Sequence, residues 1–228
     1  NLDNYHILAN HAVITAKSGN NGYNIGESSR GLKIELTGGE LDLTGNNAWV
    51  TVDNNSSLVS FGAVNLTGLA DLDSNSSLEF NDDVDAGSLD LDTTGSISAV
   101  DSLDITASGE LNMAAASFDF DKANVSGGSI YIDANSGGIV ASDIESTSGL
   151  LTLLATADQQ LNGLVDAGGA LLIDGQSITM ADSASILADS TATLSAIGDM
   201  NLDSLTSYGD VRLLANNIYV NDSMFIRN

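Results

Sequence analysis

The chain contains no cysteine. That excludes a disulfide scaffold and a thiolate zinc site. It leaves secretion open, because an exported protein can do without disulfides. Aromatic residues make up only 5% of 228 residues. Any core must therefore be built from Leu, Ile, Val and Ala, within an apolar content of 43%. Basic residues are scarce: six Lys and Arg stand against 31 Asp and Glu, for a net charge of −25. Such a surface repels phosphate backbones and anionic lipid, so neither nucleic acid nor a membrane surface is an expected partner. No apolar run approaches the ~18 residues of a membrane-spanning helix. The opening Asn1-Leu2-Asp3 is not a start methionine and does not read as a signal peptide. The expectation is a section of a longer protein.

What the sequence does have is a repeat. Two apolar residues two positions apart recur as Leu32/Ile34, Val50/Val52, Ala70/Leu72, Leu89/Leu91, Leu111/Met113, Ile130/Ile132, Leu151/Leu153, Leu171/Ile173, Ala192/Leu194 and Val211/Leu213. A weaker copy is Ala12/Ile14. Successive copies lie 18 to 22 residues apart. A second apolar series follows as Leu43, Phe61, Phe80, Ala99, Phe120, Ala141, Leu161, Met180, Leu202 and Val220. A third reads Val64, Val84, Ile105, Val125, Ile144, Leu164, Ile186, Leu205 and Phe225. Alternation puts residues i and i+2 on one strand face. Gly38-Gly39, Gly45-Asn46-Asn47 and Ser126-Gly127-Gly128 supply turns between the runs.

One such coil cannot bury its apolar face, whereas stacked coils bury it against each other and pair their backbones. The expected fold is all-β: a right-handed, three-sided parallel β-helix of about eleven coils of about 20 residues. Residues 1–228 form a single body, with residues 1–30 as less regular first coils. The Ala-rich stretches at 113–116 and 181–188 are short and interrupted, and are read as strand, not helix.

The coils at 87–99 (GSLDLDTTGSISA), 108–113 (SGELNM) and 127–139 (GGSIYIDANSGGI) resemble filamentous-haemagglutinin-type repeats. These occur in the large exoproteins of bacterial two-partner secretion. The resemblance extends from about residue 12 to residue 225. It implies a secreted or cell-surface shaft exported through an outer-membrane transporter. It also implies contact with host or neighbouring cells, including their glycans, and self-association. The Asn-Pro-rich secretion motif of that family is absent, so the resemblance is to shaft repeats, not to the recognition domain.

No catalytic, cofactor or metal residue is assigned from sequence, and the chain is not expected to be an enzyme. Pectin-cleaving β-helices combine acids with clustered bases, which six scattered bases do not form. Asp82, Asp83 and Asp85 read as a solvated turn. His6 and His11, five residues apart, read as surface residues lacking a third metal ligand. Trp49 reads as an outward strand residue that could also stack on a sugar ring. The sharpest feature is Glu35, Asp53, Asp73 and Asp92, each following the second apolar position of its coil. In register they would form an outward column of carboxylates ~4.8 Å apart, with Asp71 and Asp90 standing beside the last two, an arrangement suited to Ca2+. Two other readings remain: a carbohydrate-binding or carbohydrate-processing β-helix, and a self-assembling extracellular filament.

Overall fold

A computed structural model describes residues 7–16, 24–54, 58–100 and 102–227, apart from the side chains of Asp53 and Asn54. These residues are strand and turn, with no helix among them. Every pairing between the named strands is parallel, and each strand pairs with one about a coil away. The chain is therefore a parallel β-solenoid of about 9 turns. Three ladders run its length. The first wall holds Leu32–Leu36, Ala48–Asn54, the later halves of the long strands between 58 and 134, and then Leu151–Ala155, Leu171–Gly175, Ala192–Ala196 and Val211–Leu214.

The apolar alternation drives this arrangement. In the first wall Leu72, Leu91, Met113, Ile132, Leu153, Ile173 and Leu194 stack as one inward column, each at most 1% exposed. The second wall stacks Phe61 on Phe80, with ring centroids 5.6 Å apart, and continues through Phe120, Ala141, Leu161 and Met180. The third stacks Leu43, Val64, Val84, Ile105, Val125, Ile144, Val165, Ile186 and Leu205. Burial of such side chains contributes roughly 1.5–3 kcal/mol each.

Several sequence assignments shift. Ile14 pairs with Leu43 in the third wall, and Ile7 takes the place beside Ile34. Leu43 itself leaves the second series, because Leu41 is the residue that stacks on Phe61. Val165 and Met224 face inward where Leu164 and Phe225 were expected, and those two are 40% and 48% exposed. Adjacent apolar residues satisfy alternation in either phase, and a one-residue offset turns the side chain outward. At the far end of the ladders, Asn217–Ile226 pairs on one side only and is exposed throughout.

Turns are closed by side chains. Inward Thr93 donates to the Ser76 carbonyl at 2.5 Å and accepts the Gly95 N–H at 3.2 Å. Ser207 does the same at another corner, donating to the Ser190 carbonyl at 2.8 Å and accepting from the Gly209 N–H at 3.3 Å.

Candidate functional site on the first wall

Outward positions of the first wall form two adjacent columns. One runs Trp49, Asp71, Asp90, Asn112, Tyr131. The other runs Lys33, Thr51, Asp73, Asp92, Ala114, Asp133. The expected single column of Glu35, Asp53, Asp73 and Asp92 is thus a correction. Glu35 pairs with Asp53, and Asp73 with Asp92, but Asp73 lies beside Thr51. The break is a slip of two residues, so that Val50, not Val52, stacks on Leu72.

A corner clamp sets that register. The Gly68 N–H donates to the Asn46 carbonyl at 2.7 Å, and the Leu69 N–H donates to Asn47 Oδ1 at 2.7 Å. Thr67 Oγ1 donates to Asn46 Oδ1 at 2.9 Å. A Cβ on Gly68 would collide with the Asn47 amide oxygen, so only glycine admits the clamp. With Asn47 held beside Leu69, Ala48 falls opposite Ala70.

The result is a two-by-two array of Asp71, Asp73, Asp90 and Asp92 on two neighbouring strands. Strand geometry spaces its members ~4.8 Å across the ladder and ~6.6 Å along it. Partial burial against the wall raises the Asp71 carboxyl above its ordinary range, and the charges of Asp73 and Asp90 add to this. Burial likewise raises Asp73, helped by Asp92 and Asp90. Two shallow depressions open on the same face. One, of about 230 Å3, is lined by Thr51, Asp73, Ser74, Asn75, Asp92 and Thr94. The other, of about 350 Å3, is lined by residues that include Asp90, Asp92, Asn112 and Tyr131. Trp49 is half-buried at one end of the first column. Tyr131, at the other end, is 40% exposed and donates to Asp133 Oδ2 at 3.4 Å. Among the described residues, no three His, Asp or Glu side chains converge to hold a metal ion.

The remaining candidates separate. His6 lies outside the described residues. His11 Nε2 sits 3.5 Å from Asp42 Oδ2, pairing an exposed imidazole with a half-buried carboxylate at a corner. Asp82 and Asp83 form the expected turn, where Asp82 Oδ1 accepts the Asp83 N–H at 2.8 Å, whereas Asp85 lies in the strand Val84–Thr93. Asp83 also does something the sequence reading missed: its Oδ1 accepts the Asp104 N–H of the next coil at 2.9 Å. The same corner repeats this clamp, with Asp42 accepting from Ala63 at 2.9 Å and Asp143 from Leu164 at 2.7 Å.

A third depression, of about 370 Å3, opens on the third wall between Asp104, Thr106, Asn124, Ser126, Asp143 and Glu145. Further along that wall, partial burial raises the Asp166 carboxyl, with Glu145 and Asp189 adding to the shift. A signal for this group was available, since Asp83, Asp104, Asn124 and Asp143 each precede a third-series apolar residue. No family model, curated protein or solved structure matches the chain.

Proposed function

We propose that the chain is a shaft section of a secreted or cell-surface bacterial exoprotein. In this reading an outer-membrane transporter exports it, and it holds adhesive or effector parts away from the cell. It contacts host or neighbouring cell surfaces through its polar walls, and no catalytic step is assigned to it. The observation that supports the reading best is the continuity of the three ladders through about 9 turns. Neighbouring coils at ~4.8 Å make a rod roughly 43 Å long whose stiffness comes from backbone pairing. The resemblance of the coils at 87–99 and 127–139 to haemagglutinin-type repeats supplies the export route.

The test is antibody labelling of intact producing cells. Labelling without permeabilisation is expected, and labelling only after permeabilisation refutes the reading.

A further inference from the structure

Two asparagines hold the same place at the corner between the second and third walls. Asn81 follows the inward Phe80, and its N–H donates to the Phe61 carbonyl at 2.8 Å. Asn162 follows the inward Leu161, and its N–H donates to the Ala141 carbonyl at 2.7 Å. Each side chain reaches past the adjacent coil to an acid two coils away. Asn81 Nδ2 donates to Glu40 Oε1 at 2.7 Å, and Asn162 Nδ2 donates to Asp121 Oδ1. The difference lies in the next residue, which is Asp82 after Asn81 and Gly163 after Asn162.

That difference decides the chemistry open to the amide. The backbone nitrogen after an asparagine can attack the side-chain carbonyl carbon, and a Cβ on that next residue crowds the approach. Glycine has none. At this corner the glycine nitrogen is also the uncommitted one. The Leu164 N–H donates to Asp143 Oδ1 at 2.7 Å, whereas the Gly163 N–H has no acceptor among the described residues. Asn162 and Gly163 are half-buried and lie between the strands Gln159–Leu161 and Leu164–Ala167, where water reaches them. Asn162 Oδ1 accepts from Gln160 Nε2 at 3.0 Å. That donor faces the oxygen on which negative charge builds as the carbonyl is attacked.

We propose that Asn162 is a self-modifying site, at which the rod undoes one of its own coil-to-coil ties. The Gly163 nitrogen bonds to Cγ of Asn162, the Cγ–Nδ2 bond breaks, and ammonia leaves with the Gly163 proton. A cyclic imide remains. Water opens it at either carbonyl and leaves aspartate or isoaspartate at 162, with no change of oxidation state. Either product sets a carboxylate against Asp121 where an amide donated, so attraction becomes repulsion. Isoaspartate also adds one carbon to the backbone of the corner, which then no longer matches the coils on either side. The inference goes beyond the shaft reading and does not depend on it.

The full 228-residue chain is held folded at mildly alkaline pH and sampled over time by peptide mass mapping. A synthetic peptide of residues 159–166 gives the reference rate. Conversion at Asn162 is expected, as two products of equal mass that chromatography separates. Asn81 should convert at least about tenfold more slowly, because Asp82 carries a Cβ. Mapping separates both from the chain's other Asn-Gly pair, Asn21-Gly22, which lies outside the described residues. Hydrogen exchange should quicken at the Leu164 and Ser185 amides of the converted chain, whose acceptors are Asp143 and the Gly163 carbonyl. Asn162→Asp should quicken the same amides without incubation. An intact Asn162 when the free peptide has fully converted overturns the proposal. So does equal conversion of Asn81 and Asn162, or conversion only in chain held unfolded in urea. Unchanged exchange at Leu164 and Ser185 after conversion overturns the loss of the tie.

Discussion

Gln159 is fully buried inside the solenoid, in the second wall between Ile139 and Ile178. Its Nε2 donates to the Leu153 carbonyl at 3.1 Å and the Asp174 carbonyl at 2.6 Å. Its Oε1 has no partner. Replacing Gln159 with Met keeps the length and volume of the side chain. Two hydrogen bonds are lost, at about 1 kcal/mol each. Relief of the orphan oxygen returns about 1–3 kcal/mol. Both carbonyls belong to strands paired on either side, so each retains a ladder partner. The terms cancel, and Gln159→Met should change stability by no more than about 1 kcal/mol. Gln159→Ala also removes the stem and opens a cavity, which should cost about 3 kcal/mol. Urea unfolding, with hydrogen exchange of the amides at 159–161, measures both. If Gln159→Met loses as much as Gln159→Ala, the amide's hydrogen bonds hold the corner and this reasoning fails.

The raised carboxyls of Asp71, Asp73 and Asp166 make a pH prediction. A carboxyl raised in the folded state binds its proton there before it does in the unfolded chain. Stability should therefore rise as pH falls from neutral through the raised values, levelling off near the ordinary value of about 4. Thermal melts across that range check the slope, which Asp71→Asn should flatten; melting points that fall steadily from pH 7 contradict it. Phe80→Ala removes a fully buried ring stacked on Phe61 and should cost about 4 kcal/mol. Hydrogen exchange should accelerate in the neighbouring coils and leave 192–196 protected, because solenoid stability is a sum of nearest-neighbour terms. Gly163→Ala would drive a Cβ into Asp143 Oδ1, the acceptor of the Leu164 N–H. A loss of about 2 kcal/mol is expected, shrinking in an Asp143→Ala background; equal losses in both backgrounds would dismiss the clash.

The fold was legible because its driving force is periodic. Ile130, Ile132, Leu151 and Leu153 stand one coil apart in the chain and stack as expected. What pattern could not settle was phase. Ala48, Val50 and Val52 are all apolar at alternate positions, and all three are buried. A slip of two residues keeps every side chain on its proper face, so apolar content cannot choose between Val50 and Val52 as the partner of Leu72. The choice falls to Asn46, Asn47 and Gly68, polar corner residues that read in sequence only as a generic turn. The two-by-two aspartate array was legible, and only its extension to Glu35 and Asp53 failed, for the same reason. Asp71, Asp73, Asp90 and Asp92 lie within coils whose register was right, whereas Glu35 and Asp53 lie across the slip. Gln159 was invisible to an apolar count, because the inward site it fills is a polar one.

Two groups within the acidic composition have opposite energetics. Asp42, Asp83, Asp143 and Asp203 each accept a backbone N–H from an adjacent coil, at 2.7–2.9 Å, all at the corner between the second and third walls. Asp suits this corner because its short side chain reaches a nearby backbone donor without extending into solvent. Glycine at 62 and 163 clears space for two of these carboxylates. The corner is reinforced over longer reach, as Asn81 donates to Glu40 at 2.7 Å and Asn162 to Asp121, each pair spanning two coils. These acids join neighbouring coils, and removing one unsatisfies a donor. The four carboxylates of the first wall repel one another and make no comparable backbone contacts in register. Neutralising them should therefore stabilise the rod, while neutralising the corner acids loosens it. A net charge of −25 is thus no uniform coat. Part of it is structural and already engaged at the corner, whereas the part on the first wall works against the fold through mutual repulsion and partial burial.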